Sequence, residues 1–390
     1  MKFFSTTIKA AFVSRPNRFT LICRSKGKKL KAFLPNPGRL QELLFPGVSV
    51  FLEKSSVPER TLAYTAVAVE REGHRVVLHT HRTNDVARYL IETKAIPALR
   101  EFNLIRSEVT KGNSRFDFLL GKEGQELILE VKSCTLFSRR AAMFPDAVTA
   151  RGKKHLEELA RLSSNRTRSA VLFVIHWPRA EVFMPDFHTD LEFARTLLAV
   201  RDRVTFIPAA VRWRDDLTID PSETKVVDVL WEAVEKEAHD RGSYLVIFRL
   251  PRKKIIRVGS LGDLPLRGGY YTYVGSARRG LSARIERHRR LRKKAFWHID
   301  DLSAQADFHA ALPVRSADDL ECEMASALEG FSEGAVPGFG SSDCACPSHL
   351  FWTREDPLDS PRFHHFLQYY RMERLIDKYR PDDKSSPARK

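Results

Sequence analysis

The sequence predicts a multidomain α+β protein: a small N-terminal β-barrel followed by two α/β domains. Three observations lead there. The chain has 390 residues, enough for two or three domains at about 100 to 200 residues each. Its first part carries only strand and turn signals, after which short apolar strands alternate with helical periodicity. With 43% hydrophobic and 29% charged residues, the composition is that of ordinary globular domains and excludes whole-chain disorder or a fibrous repeat.

The elements follow in order. Residues 11–14, 19–23, 30–34, 48–52, 62–70 and 76–79 read as strands, with breakers at Arg15-Pro16-Asn17, Ser25-Lys26-Gly27-Lys28 and Arg71-Glu72-Gly73-His74. Five or six short strands are too few for a sandwich and fit a barrel of OB type over residues 1–82. Over 83–221, stretches 85–93, 152–162 and 190–200 read as helices, 116–120 and 127–132 as a strand hairpin, and 170–175 as a buried strand. Asp220-Pro221-Ser222-Glu223 breaks the chain, and a linker helix is expected over 226–239, within a 222–241 connection. A third, α/β domain occupies 242–353, and 354–390 reads as a helix and a tail frayed from Pro381 onward.

Charge narrows the function. Lys and Arg number 65 against 49 Asp and Glu, a net +16, which points to nucleic acid ahead of an anionic membrane surface. The longest apolar run, 170–175, is far short of the roughly 18 residues that span a bilayer, so no membrane role is expected. The N-terminus lacks an export signal's apolar core, and five scattered cysteines make no disulfide framework; the expected location is the reducing cytoplasm.

The middle domain holds the first chemical constellation. In Leu127-Ile128-Leu129-Glu130-Val131-Lys132, strand alternation puts Glu130 and Lys132 on one face and Leu129 and Val131 on the other. If the neighbouring strand brings Asp117 alongside, Asp117 and Glu130 can hold Mg²⁺ or Mn²⁺ through oxygen, and Lys132 can orient or deprotonate an attacking water. That set is suited to phosphodiester hydrolysis; an exposed ion pair is the plainer alternative. Thr135, Asp146, Thr149, Arg151 and His155 follow closely and could surround a phosphate, or Asp146 and Thr149 could simply cap the helix that starts near Gly152.

The pattern resembles the signature of restriction-endonuclease-like nucleases, with Phe116 where a proline is usual. Several longer motifs go further: Arg15-Pro16-Asn17-Arg18-Phe19, Leu34-Pro35-Asn36-Pro37-Gly38-Arg39-Leu40, Ser114-Arg115-Phe116-Asp117-Phe118, Glu130-Val131-Lys132-Ser133-Cys134-Thr135-Leu136 and Phe144-Pro145-Asp146-Ala147-Val148-Thr149-Ala150-Arg151-Gly152-Lys153-Lys154-His155. Together they resemble the sugar fermentation stimulation protein family over about residues 1–220. The resemblance implies an OB-like part, a nuclease-like part and a DNA-binding role. It makes Arg15, Arg18, Asn36, Arg39, Arg115, Arg151 and His155 candidate nucleic-acid contacts; for Asn36, between two prolines, turn formation is an equal alternative.

A second constellation lies in the C-terminal domain. Gly242-Ser243-Tyr244, Gly269-Tyr270-Tyr271-Thr272-Tyr273-Val274-Gly275-Ser276 and Leu281-Ser282-Ala283-Arg284-Ile285-Glu286-Arg287-His288, with Gly338-Phe339-Gly340-Ser341-Ser342-Asp343-Cys344, resemble a divergent branch of the GIY-YIG nuclease superfamily. The resemblance implies catalytic roles for Tyr244, Tyr273, Arg284 and His288. It also implies a metal-ligating Glu321, preferred over Glu323 because it follows Leu320. Arg284 and His288 are one helical turn apart, so both reach one face. The sequence departs from the superfamily in an insertion carrying Gly259 and Gly262 and in lacking a clear terminal asparagine, so the first site has the more complete set.

The basic run Arg278, Arg279, Arg284, Arg287, His288, Arg289, Arg290, Arg292, Lys293, Lys294 contains a single acid, Glu286; docking it on phosphates would make affinity steeply salt-dependent, with Arg287 and Arg290 as candidate contacts. Cys344, Cys346 and His349 are of ligand type. Their tight spacing, with no obvious fourth ligand beyond Cys322 or His298, favours a structural or buried role over zinc. The sequence therefore leads to a DNA-binding, Mg²⁺-dependent nuclease. A non-catalytic DNA-binding regulator and an RNA-directed enzyme remain the alternatives, since both need the same positive field.

Overall fold

The computed structural model describes residues 1–56, 61–290, 294 and 296–381, and the chain divides into two compact units, residues 1–234 with 372–390, and 235–371. Arg292 and Lys293 of the basic run, and the tail from 382 onward, lie outside the described residues. No described helix is long and apolar enough to cross a membrane.

The first unit opens with strands β1 (Thr7–Asn17), β2 (Thr20–Ser25), β3 (Lys28–Phe33), β4 (Ser49–Lys54), β5 (Tyr64–Arg71) and β6 (His74–Val77). Neighbours are antiparallel in the order β3-β2-β1-β4-β5-β6, and a parallel β3–β5 pairing at Ala32 and Phe33 closes the first five into a barrel. This is the OB-type closure the short strands predicted, and it leaves no open edge among the five.

After helix α1 (Thr83–Glu92) come β7 (Asn103–Lys111), β8 (Ser114–Lys122), β9 (Gln125–Cys134), β10 (Leu136–Phe137), β11 (Ala141–Phe144), α2 (Ala150–Leu162), β12 (Thr167–Ile175), β13 (Val182–Pro185), α3 (Leu191–Ala199) and β14 (Thr205–Ala210). In the main sheet β12 is flanked by β9 and β14, both parallel to it, while β8 and β7 add antiparallel. Alternation along β9 divides the core. Leu127, Leu129 and Val131 join the cluster that includes Val86, Leu90 and Ile91 of α1, whereas Ile128 joins the one with Leu156 and Leu159 of α2. Sheet and helices therefore form the α/β layers expected from the resemblance to restriction-endonuclease-like nucleases.

The linker helix expected over 226–239 starts later than predicted. Lys225–Val226 is β15, Asp228–Val229 is β16, and only Trp231–Glu237 is helical (α4). The β-branched Val226 and Val229 pair with Ala209 and Phe183 instead, because two waiting strands offer backbone partners that an isolated helix start does not.

The second unit is built on an antiparallel sheet of β17 (Gly242–Leu250), β20 (Gly269–Ala277), β21 (Asp307–Arg315), β22 (Gly334–Ala335) and β23 (Leu350–Thr353), ordered β21-β17-β20-β23-β22. The insertion is a separate ribbon, β18 (Lys254–Val258) with β19 (Gly262–Leu266). Tyr244, Val246 and Phe248 of β17 face a core shared with Leu281 and Ile285 of α5 (Leu281–Arg289) and with α6 (His298–Ser303). Leu245 and Ile247 face α7 (Glu321–Glu329) and α8 (Pro361–Gln368). The last helix, α9 (Arg374–Tyr379), belongs to the first unit, where Arg140 donates to Glu373 at 2.9 Å and Asp377 at 2.8 Å.

Candidate active site

The β8–β9 register pairs Phe118 with Leu129, which carries Asp117 to the position beside Glu130. Asp117 accepts hydrogen bonds from Val131 N–H at 2.7 Å and from the Asn84 side-chain amide at 2.7 Å. Glu130 is 4% exposed; one oxygen meets Lys132 Nζ in a close ion pair and accepts from His155 Nδ1 at 2.7 Å. Arg151 Nε–H donates to His155 Nε2 at 3.3 Å, which leaves Nδ1 as the nitrogen carrying the proton towards Glu130. The other oxygen of Glu130, Oε2, is buried and takes no hydrogen bond from any of the described residues.

The two carboxyls are pushed apart in acidity. Burial, with the charge of Glu130 beside it, raises Asp117 above the usual range. Burial acts the same way on Glu130, but the His155 hydrogen bond and the Lys132 ammonium outweigh it and hold Glu130 below the usual range. A buried carboxylate kept ionised with one oxygen unclaimed fits a hard cation, since oxygen ligands are what Mg²⁺, Mn²⁺ and Ca²⁺ take.

The set opens onto a cleft lined by Arg18, Asn84, Lys132, Ser133 and Thr135. Its rim is tied down by the Pro-Asn-Pro-Gly-Arg loop of the barrel. Asn36 accepts from Gly38 N–H at 2.9 Å and donates to the Leu78 carbonyl at 3.1 Å, the turn-forming alternative. Arg39 donates to the Asp146 carbonyl at 2.8 Å and to Thr189 Oγ1 at 2.7 Å, and Leu40 N–H reaches the Asp146 carboxylate at 2.8 Å. Arg15 donates to the carbonyls of Asn36 and Arg18, and Arg115 lies 3.7 Å from Glu108. Of the two expected helix caps, Thr149 accepts from Gly152 N–H at 3.0 Å; Asp146 instead anchors the barrel loop, because its carboxylate meets the N–H of Leu40 rather than that of α2.

Two residues missed in the sequence adjoin the site. His176 is buried, and Trp213 Nε1–H donates to its Nδ1 at 2.9 Å, so its Nε2–H points to Ser133 Oγ at 3.1 Å on the cleft wall. A signal was available: Ser133 and His176 sit at the carboxyl ends of two parallel strands, where ligands of open α/β sheets gather.

In the second unit one cleft is lined by Tyr244, Tyr273, Ser276, Arg284, Glu321 and Asp343, among others. The tyrosine rings lie 6.4 Å apart across adjacent strands. They meet over Gly275, where a Cβ would sit 2.5 Å from Tyr244 Oη and 2.9 Å from Tyr273 Cε1. Burial raises the pKa of both phenols. Arg284 donates to the Ser276 carbonyl at 2.9 Å, and Glu321 pairs with Ser276 Oγ. His288 lies behind the cleft, buried, its Nε2 2.8 Å from the Tyr244 hydroxyl. Glu321 lines the cleft, while Glu323 is exposed. Arg287 forks onto buried Asp300 with two contacts of 2.8 Å, and Arg290 is exposed just past α5.

Three stretches of the chain match known family models. Residues 13–78 match the SfsA N-terminal OB domain, 81–216 the sugar fermentation stimulation protein RE domain, and 243–369 a domain of unknown function, DUF123. The sugar fermentation stimulation protein homolog of Methanothermobacter thermautotrophicus is 38% identical over 190 residues, covering 49% of this chain and 79% of that protein. The Moorella thermoacetica homolog is 41% identical over 192 residues, 49% of this chain and 83% of its own length. Pyrococcus furiosus SfsA, solved in complex with Ca²⁺, superposes with a TM-score of 0.53 at 25% identity, over 59% of this chain and 99% of that one. With its barrel and nuclease-like domain so matched, and a GIY-YIG-like domain following them, the chain belongs to the sugar fermentation stimulation protein family.

Proposed function

We propose that this protein binds DNA and hydrolyses its phosphodiester bonds in a divalent-metal-dependent reaction at Asp117, Glu130 and Lys132. The observation that carries the reading is the buried Glu130 carboxylate, held ionised by Lys132 and His155 with Oε2 unclaimed. Asp117 and Glu130 would hold Mg²⁺ or Mn²⁺; the ion, when bound, would supply Lewis-acid polarisation of the phosphate and a lowered water pKa. The similar Pyrococcus furiosus protein, in complex with Ca²⁺, supports an ion of this oxygen-seeking class.

The chain's own residues supply the rest. Asn84 and the Val131 amide fix both oxygens of Asp117, His155 fixes the Glu130 carboxylate, and Lys132, paired with Glu130, keeps further donors towards the cleft that can orient a phosphate oxygen or a water. Arg18 on the cleft wall adds positive charge for a strand. The net charge of +16 supplies the long-range attraction.

The second cleft, with Tyr244, Tyr273, Arg284 and Glu321 gathered and His288 behind Tyr244, supports a second cutting or strand-holding site. Cleavage of labelled single-stranded, duplex and branched DNA by wild type, Lys132→Ala and Arg284→Ala tests both. Metal-dependent cutting lost with Lys132 supports the reading; salt-sensitive binding without cutting by any of the three overturns it in favour of a non-catalytic DNA-binding protein.

A further inference from the structure

The second unit gathers four side chains that neither cleft uses for its proposed chemistry. Cys322, Cys344, Cys346 and His349 each offer one ligand atom, and the four atoms lie within 4.8 Å of one another. Cys344 Sγ is 3.5 Å from His349 Nε2. A tetrahedral zinc ion, with Zn–S of about 2.3 Å and Zn–N of about 2.1 Å, sets its ligand atoms roughly 3.5 to 3.8 Å apart. The cluster therefore has the dimensions of a four-ligand site that needs only slight contraction around an ion.

The donor set fits zinc in kind as well as in size. Three thiols and an imidazole match the Cys₃His sets of structural zinc sites, and soft thiolates disfavour Mg²⁺ or Ca²⁺. The sequence lacked an obvious fourth ligand because Cys322 comes from the start of α7 while the other three come from the segment entering β23. His298, the other sequence candidate, packs against Phe339 with ring centroids 5.7 Å apart.

That segment has little regular structure to hold it. Gly340, at φ +71°, turns it beneath Tyr273, where a Cβ would lie 2.8 Å from the ring and 3.4 Å from His349 Cβ. An ion joining α7 to this segment would close the loop between Cys322 and Cys344.

The histidine is already oriented as a ligand. Its Nε2 faces the thiols, while Nδ1 lies 3.1 Å from Glu321 Oε1. A carboxylate behind a ligating imidazole is the usual outer partner that fixes ring and tautomer. The other oxygen of Glu321 pairs with Ser276 Oγ on the wall of the tyrosine cleft.

We propose that Cys322, Cys344, Cys346 and His349 bind one structural zinc ion, and that His349 transmits this anchorage to Glu321, which it holds against the tyrosine cleft. With all four positions filled by protein, the ion has no open site for catalysis. The zinc assignment does not depend on cleavage by either cleft; the positioning of Glu321 deepens the reading of the second one.

The test is metal analysis of the full-length chain, purified under reducing conditions with zinc in the medium and dialysed against metal-free buffer. About one zinc per chain is expected for wild type, with loss of most of it in both Cys344→Ser and Cys346→Ser. Glu321→Gln should keep the ion but bind it about 10- to 100-fold more weakly. Because the cysteine variants could misfold, the zinc-stripped wild type is also titrated with Co²⁺, where thiolate-to-cobalt charge-transfer bands with tetrahedral ligand-field bands are expected. Wild type without zinc and without those bands, a disulfide among the three thiols, or zinc content unchanged in both serine variants would overturn the proposal. None of these readouts involves DNA cleavage, so failure here is distinguishable from failure of the nuclease reading.

Discussion

Replacing Lys132 by Met removes the ammonium from a carboxylate that is nearly out of water. The Lys132 side chain is 18% exposed and that of Glu130 6%. Removing one member of a buried ion pair costs about 3 to 5 kcal/mol. Here His155 still donates to Glu130, and the lysine head opens on the cleft, so water can partly replace it. The expected loss is therefore about 2 to 3 kcal/mol at pH 8. Its pH dependence has a definite sign. The folded-state pKa of Glu130 lies below its ordinary value, so its contribution is present above the unfolded pKa and is lost as pH falls through the folded one. The destabilisation by Lys132→Met should shrink towards zero below about pH 4.5. A second substitution, Glu130→Gln, leaves no buried charge to strand, and the double variant should be less destabilised than Lys132→Met alone at pH 8. Urea unfolding of the full chain, fitted with separate transitions for its two units, reads all three. A Lys132→Met variant within about 0.5 kcal/mol of wild type at pH 8, or a double variant that is worse than the single, would refute the account of this pair.

Other consequences are equally open to measurement. Burial lowers the pKa of His176 to about 3; the neutral ring's contribution is complete above about pH 6.5 and is lost as pH falls from there towards 3, so the urea midpoint of the first unit should drop across that window. His176→Asn, which keeps an acceptor near the Nδ1 position without the titrating ring, should flatten that acid limb. Gly275→Ala should push the Tyr244 and Tyr273 rings apart and destabilise the second unit by about 1 to 3 kcal/mol in thermal or urea melts. Arg287→Ala should cost the second unit about 3 kcal/mol by breaking the fork onto buried Asp300. Arg290→Ala, at an exposed position, should leave stability unchanged while lowering the salt slope of duplex-DNA binding by about one.

Period-two alternation is strong enough to be read directly, and it made β9 and its Glu130–Lys132 face legible in the sequence. The barrel strands were legible because turn residues punctuate them at short intervals. The placement of Asp117 follows from β8 pairing next to β9, a contact between near neighbours in sequence that hairpins commonly supply. What escaped depends on distant closures. Cys322 and His298 stood as alternative fourth ligands in the sequence, and the choice of Cys322 depends on α7 packing against the sheet that β23 completes. Asp146 turns away from α2 because the barrel loop at Leu40 offers an N–H that local sequence does not show. Val226 and Val229 became strands because β14 and β13 were there to pair with them. The return of α9 to the first unit, through Arg140 with Glu373 and Asp377, had no local signal, since a surface charge pattern on a short helix does not name its partner.

The most direct test of the central claim is the cleavage of labelled single-stranded, duplex and branched DNA in Mg²⁺ or Mn²⁺ by the full-length wild type beside Lys132→Ala. Cutting is expected to require the metal and to fall by about 10² or more in the variant while DNA binding persists. Equal cutting by the two proteins, or tight, salt-sensitive binding with no cutting by either, would contradict it.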